Sequence, residues 1–333
     1  MNDVALSAGV SKTTVSYVLN GNPGVTAQTR ARVLRACEEL GYRINPSVQD
    51  LIRETISGST RSLAFVLVEK DFADPAYSRL IDGMARGTEA NNYHLLFAKL
   101  SGVEESIYDL PPVLRDRRVD GVLVSGEVTP LVISTLRELE MPCVIIGNYG
   151  DSITRGLAAV EIAVSSAVDV LIRQLREAGR SRIAFFHETL VHHSDREQLA
   201  CYKNSLTTNG LPLSEDIIYI GNGALTGALD TLKPVFAGDE LPFDAIYVGD
   251  FRVAVEISHL IMAREWCGKP SDVILATIRP YVYYRLPVKT MYIDMLAEDI
   301  AYQGVELLLT SISQGDKFRP RKVALTPDVT DLS

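Results

Sequence analysis

Val4–Asn20 reads VALSAGVSKTTVSYVLN, and its two faces differ in kind. Val15, Val18 and Leu19 fall at i, i+3 and i+4, the spacing of one buried helical stripe. Thr13, Ser16, Tyr17 and Asn20 fall on another face, with Lys12 beside them. Ser11 suits an N-cap, because its hydroxyl can accept from an N–H one turn on. Upstream, Val4, Ala5, Leu6 and Ala8 suit a short first helix, and Gly9 permits a tight turn. Two short helices meeting at a Gly-bearing turn, the second with an outward polar stripe, match a helix-turn-helix. The same spacing also fits an amphipathic hairpin whose polar face is only solvated.

Downstream, Thr26 can cap a third helix running to about Leu40, with Val33, Leu34, Cys37 and Leu40 inward and Gly41 as its stop. Residues 1–60 hold six cations against five carboxylates, a net +1; the whole chain is −9, so the other 273 residues carry −10. That balance excludes non-specific nucleic-acid binding by the whole chain and confines any DNA contact to the head. Apolar content of 47 % over 333 residues supports two or three packed units. No stretch is long and apolar enough to span a bilayer, and no signal sequence opens the chain, so a soluble cytoplasmic protein is expected. Cys37, Cys143, Cys201 and Cys267 stand far apart, as isolated thiols rather than a metal site or disulfides.

The run from Asp3 to Asn20 (D-V-A-x-x-A-G-V-S-x-x-T-V-S-x-V-L-N), followed by V-T-A-Q-T-R at Val25–Arg30 and E-L-G-Y at Glu39–Tyr42, resembles the opening signature of the LacI/GalR (lactose and galactose repressor) family of bacterial transcription regulators. The resemblance implies an α/β protein: a three-helix helix-turn-helix head and a two-lobed, periplasmic-binding-protein-like core of doubly wound parallel sheets. It also implies that the second helix enters the major groove of double-stranded DNA, with Ser11, Lys12, Thr13, Ser16, Tyr17, Asn20 and Thr29 at the contact. Tyr17 departs from the family's usual Arg. Family members begin a few residues earlier with a capping Thr or Ser. Met1 falls within the first helix, so a natural start upstream is expected.

Asn45–Arg61 (NPSVQDLIRETISGSTR) matches the family's hinge helix, which pairs with that of a second copy in the minor groove and wedges a leucine between base pairs. Leu51 corresponds to that leucine and Asn45 to the family's Asn. Ile44 replaces a usual Pro, Gln49 a common Arg, and about four extra residues precede the core. A tether without DNA contact is the alternative.

From Ser62 on, apolar runs at Leu63–Val68, Tyr93–Ala98, Gly121–Ser125, Cys143–Gly147, Ile183–Phe186, Ile217–Ile220, Ala245–Val248 and Val273–Ile278 alternate with helical spans. This pattern predicts βαβ units and parallel sheets. It restarts near Arg182, which predicts two lobes with a ligand cleft at the carboxyl ends of the strands. The expected division is a head over 1–44, a hinge and linker over 45–61, and a core over 62–333. Within the core, lobe one takes about 62–158 and 290–314, and lobe two about 159–289 and 315–333.

By the resemblance, effector contacts fall on Asp74, Tyr77, Asn148, Arg196, Gln198, Asp250 and Arg279. Gln198 replaces the family's sugar-gripping Arg, and Arg279 replaces its Asp. That exchange predicts an acidic effector, a sugar acid or sugar phosphate, over a neutral sugar. Enzyme readings find little support. Gly221, Gly223 and Gly227 have the wrong spacing for a dinucleotide loop, and His192-His193 near Asp195 lack metal-ligand spacing. No nucleophile elbow or P-loop is present. The expected protein is a homodimeric DNA-binding repressor controlled by a small metabolite, with no cofactor, metal or membrane partner. A periplasmic-type binding protein and a two-domain α/β enzyme stay open as alternatives.

Overall fold

The computed structural model describes residues 1–19, 24–40, 59–73, 75–223, 225–268, 272–279 and 285–331. Two compact units divide it, Met1–Thr60 and Arg61–Ser333.

In the first unit three helices form: α1 (Asn2–Ala8), α2 (Lys12–Leu19) and α3 (Ala27–Glu39). Gly9 ends α1 at φ 62°, a left-handed turn that glycine adopts without a Cβ clash. The Ser11 hydroxyl accepts from Thr14 N at 3.1 Å, and Thr26 Oγ1 accepts from Thr29 N at 3.3 Å, so each following helix has the cap the sequence predicts. Val4, Val15, Val18, Val33, Ala36 and Cys37 close the interior. Leu34 and Leu40, expected inward, are instead 48 % and 49 % exposed. The buried stripe of α3 runs Val33–Ala36–Cys37; Leu34 is turned about 100° away from Val33, and Leu40 follows the helix end.

The second unit begins with β1 (Ser62–Val68), α4 (Pro75–Ala90), β2 (His94–Leu100), α5 (Pro112–Arg115), β3 (Gly121–Gly126), α6 (Pro130–Glu138), β4 (Cys143–Ile146), α7 (Asp151–Thr154) and β5 (Ala158–Ile162). It continues through α8 (Val164–Glu177), β6 (Ile183–His187), α9 (His193–Thr208), β7 (Ile218–Ile220), α10 (Leu225–Ala237), β8 (Ala245–Val248), α11 (Phe251–Trp266), β9 (Ile274–Ile278) and β10 (Thr290–Asp294). Then α12 (Ala297–Gln314), β11 (Lys322–Leu325) and β12 (Asp328–Asp331) follow.

Two six-stranded sheets result, ordered β11-β5-β4-β3-β1-β2 and β12-β10-β9-β8-β6-β7. Only β12 runs antiparallel to its neighbour. β1 and β6 are buried on both faces, which explains their unbroken apolar runs: Leu63, Phe65 and Leu67 pack to one side, Ala64, Val66 and Val68 to the other.

Sheet membership corrects the expected lobe division. Thr290–Asp294 pairs with β9 and belongs to lobe two, whereas Ala158–Ile162 and Lys322–Leu325 pair with each other in lobe one. The chain crosses between lobes after β5, β10 and β11. Which sheet a strand joins depends on its hydrogen-bonding neighbour, and a strand's own apolar pattern carries no record of that. α12 packs on lobe one and α8 on lobe two.

Candidate DNA-reading face and effector cleft

On α2 the inward stripe, Val15 and Val18, is buried, while Lys12, Thr13 and Tyr17 are exposed, Tyr17 to 50 %. Ser16 is half-buried. Ser11 is exposed, but its hydroxyl is engaged by Thr14. Thr29 is half-buried, its hydroxyl accepting from Thr26 at 3.0 Å. Arg30 does not point outward for a phosphate: its guanidinium donates to Val18 O at 3.4 Å, tying α3 to the end of α2. Lys12, Thr13 and Tyr17 therefore form the outward face, with an ammonium, a methyl and two hydroxyls suited to base edges. Asn20, Asn45, Leu51 and the hinge over 45–58 lie outside the described residues, as does Asp74.

In each lobe the strand order reverses between the first and third strands, β1 and β3 in one, β6 and β8 in the other. The crevice outside the carboxyl ends at such a reversal is where doubly wound sheets place ligands. In lobe one that point holds Lys70, just after β1, and Glu127, just after β3, paired at 2.6 Å. In lobe two it holds His187 and Gly249. A Cβ on Gly249 would collide with the His187 ring and meet Gln198 Oε1 at 2.9 Å, so glycine alone allows this approach. Gln198 is buried and accepts from the Tyr247 hydroxyl at 2.8 Å. Burial pushes the Tyr247 phenol well above its ordinary range, keeping it a donor.

The predicted effector residues fare differently. Tyr77 is half-buried near the start of α4, packed against the core. Asn148 is committed to the backbone: its amide donates to Ile162 O at 2.7 Å and accepts from Ile162 N at 2.9 Å, with a 3.3 Å contact to Glu197 across the lobes. Arg196 donates to Leu190 O and Val191 O, bracing its own loop. Asp250 caps α11 and pairs with Arg252 at 2.7 Å.

Arg279 meets Asp294 Oδ2 at 2.7 Å, and Asp294 also takes Arg79 Nη1 at 3.2 Å and Leu296 N at 3.0 Å. Arg79 in turn pairs with Glu298. Burial raises the Asp294 carboxyl, but Leu296 N–H, Arg279 and Arg79 together outweigh it and hold the carboxyl below the usual range. Two guanidiniums and two carboxylates thus neutralise one another, and Arg279 offers no free cation to an acidic effector.

Lys70, Glu127, His187, Glu197 and Asp294 were not expected at this site. Lys70, Glu127 and Asp294 sit at or just past strand ends, a positional signal that the sequence does carry. The adjacent histidines diverge: His192 Nδ1 meets Glu127 at 2.8 Å, while the His193 ring lies against Gly150. Among the described residues no cluster of three ligands could hold a metal, and no helix is long and apolar enough to cross a membrane.

A three-helix head with an outward polar helix, carried with two doubly wound lobes, defines a class: DNA-binding transcription regulators with an effector-type core. Residues 1–45 match the family model described as bacterial regulatory proteins, lacI family. The chain is 28 % identical over 261 residues to catabolite control protein A of Priestia megaterium, covering 77 % of this chain and 75 % of that protein. It is 27 % identical over 338 residues to the HTH-type transcriptional repressor PurR of Vibrio atlanticus, covering 100 % and 97 %. In fold it is similar to the lac repressor dimer bound to operator and the anti-inducer ONPF, with a TM-score of 0.75, 18 % identity, and coverage of 99 % and 96 %. The chain belongs to the lacI family and is a transcription regulator, not an enzyme.

Proposed function

We propose that the protein is a cytoplasmic homodimeric repressor whose two heads read the half-sites of a pseudo-palindromic operator. The outward face of α2 carries this reading: Lys12, Thr13 and Tyr17 stand clear of a closed interior, with a Tyr where the family commonly has Arg. Tyr17 cannot make the bidentate guanine contact of an arginine, so the preferred half-site differs from the usual family site at that base. Ser11, Ser16, Asn20 and Thr29 support the docking, and Asn45 and Leu51 act in the minor groove.

The effector is a neutral polar molecule of the sugar class, bound between the two strand reversals by Tyr77, His187, Gln198 and neighbouring groups. The pairing of Arg279 with Asp294 and of Arg196 with its own loop favours this over the acidic effector expected from the strand-end arginine. Differential affinity for two lobe arrangements sets the switch. The test is selection of bound genomic fragments in vitro, followed by gel shifts against a panel of neutral sugars and their acid and phosphate forms. Enrichment of no palindromic site would overturn the operator reading. A response confined to sugar phosphates would overturn the effector class alone.

A further inference from the structure

We propose that Glu127 and His192 form a latch that holds the two lobes closed in the effector-free protein. The three chain crossings leave β5 at Ile162, β10 at Asp294 and β11 at Leu325, and these strands lie together on one side of their sheets. Two of the polar contacts that join the lobes sit at those crossings: Asn148 grips Ile162 while touching Glu197, and Arg79 meets Asp294. Contacts beside a hinge survive its rotation. Glu127–His192 is placed otherwise, joining the end of β3 to the start of α9, elements through which no crossing passes. Opening the cleft about the crossings must break it.

Both partners are held in place for that role. Lys70 fixes the Glu127 carboxylate from within lobe one at 2.6 Å. His192 is the N-cap residue of α9, its main-chain N–H donating to Asp195 at 3.2 Å, so its ring moves with the helix and not with a loose loop. The carboxylate therefore lies between an ammonium of its own lobe and an imidazole of the other.

The latch rests on the two-lobed core and is tested apart from DNA binding, so the gel shifts above can fail or succeed independently. Spin labels are placed on the full chain at exposed Cys267 in lobe two and at a thiol introduced on α6 by Glu138→Cys in lobe one. Burial pushes Cys143 up to about 12 and raises Cys37 and Cys201 above the ordinary thiol range, so these thiols stay protonated and label slowly. Labelled protein is diluted with unlabelled protein to remove distances between copies. The interlobe distance distribution, measured by pulsed electron resonance, is expected to be short and narrow in the otherwise unaltered chain. Glu127→Gln and His192→Gln should each lengthen and broaden it. His192→Gln retains the main-chain cap and decides the matter if Glu127→Gln fails to fold. Distributions that superimpose on the parent in a folded variant overturn the latch, as does a parent already broad.

Discussion

Asp294→Asn is the most informative single change in the core. The carboxylate side chain is 10 % exposed and receives three donors: Arg279, Arg79 and Leu296 N. Asn keeps the volume and one acceptor, but it loses the charge and turns an NH2 group toward a guanidinium. Breaking a buried pair by altering one partner costs about 3–5 kcal/mol. Here Arg79 keeps Glu298, and the Arg279 side chain is 39 % exposed and can rehydrate, so the lower end, about 3 kcal/mol, applies. For an m-value near 3 kcal/mol/M, suited to a large unit, the urea midpoint of the core falls by about 1 M. Circular dichroism follows the transition. A midpoint lower by less than about 0.3 M, on that same slope, would refute the reasoning by making the network solvent-like. Acid provides a second check. A carboxyl depressed in the folded state stabilises above its unfolded pKa, and that contribution disappears as pH falls through the folded value. The gap between parent and variant should therefore close below about pH 4.

Val15→Ala removes two buried methyl groups from the head, about 1.6 kcal/mol of burial before any cavity term; a separate, earlier melting step and lost DNA binding should appear while the core transition stays in place. Tyr17→Ala should change which sequences are selected from a random library while leaving thermal stability within about 0.5 kcal/mol, as for other exposed positions; an equal loss across all sequences would make Tyr17 a phosphate contact only. Leu51→Ala should weaken operator binding by roughly 1–3 kcal/mol and reduce DNA bending measured by cyclisation, with little change in non-specific binding; unchanged bending would reduce the segment to a tether.

Local pattern made most of the fold legible. Ser11 and Thr26 announced the caps of α2 and α3, Gly9 the turn, and eight apolar runs the strands that alternate with helices. What failed was information that no local window holds. Leu34 is as apolar as Val33, and only the packing angle of α3 decides which is buried. Ala158–Ile162 and Asp328–Asp331 were not singled out as strands, and Thr290–Asp294 was assigned to the wrong lobe, because each is defined by a neighbour distant in sequence.

The same limit acts more sharply at the cleft. Its location was legible, since strand ends at a reversal of strand order are a property of the alternating pattern. Its charge was not. Arg279 at the end of β9 invites the inference of an anion site, yet the guanidinium is answered by Asp294, fifteen residues on, which also binds Arg79 from lobe one. Asn148, placed for a ligand hydroxyl, spends its amide on Ile162. Glu127 and His192 are 65 positions apart and belong to different lobes, but they are the pair that spans the cleft away from the crossings. In each case the residue type fixes what a group can bind, and its partner fixes whether the group is free to bind it. A buried cation already paired in both charge and geometry gains little from a second anion, because the first must be displaced and desolvated in turn. The ligand preference of this cleft therefore follows from the polar groups left over after internal pairing, chiefly imidazole, amide and hydroxyl, which suit a neutral polyhydroxyl compound better than a phosphate.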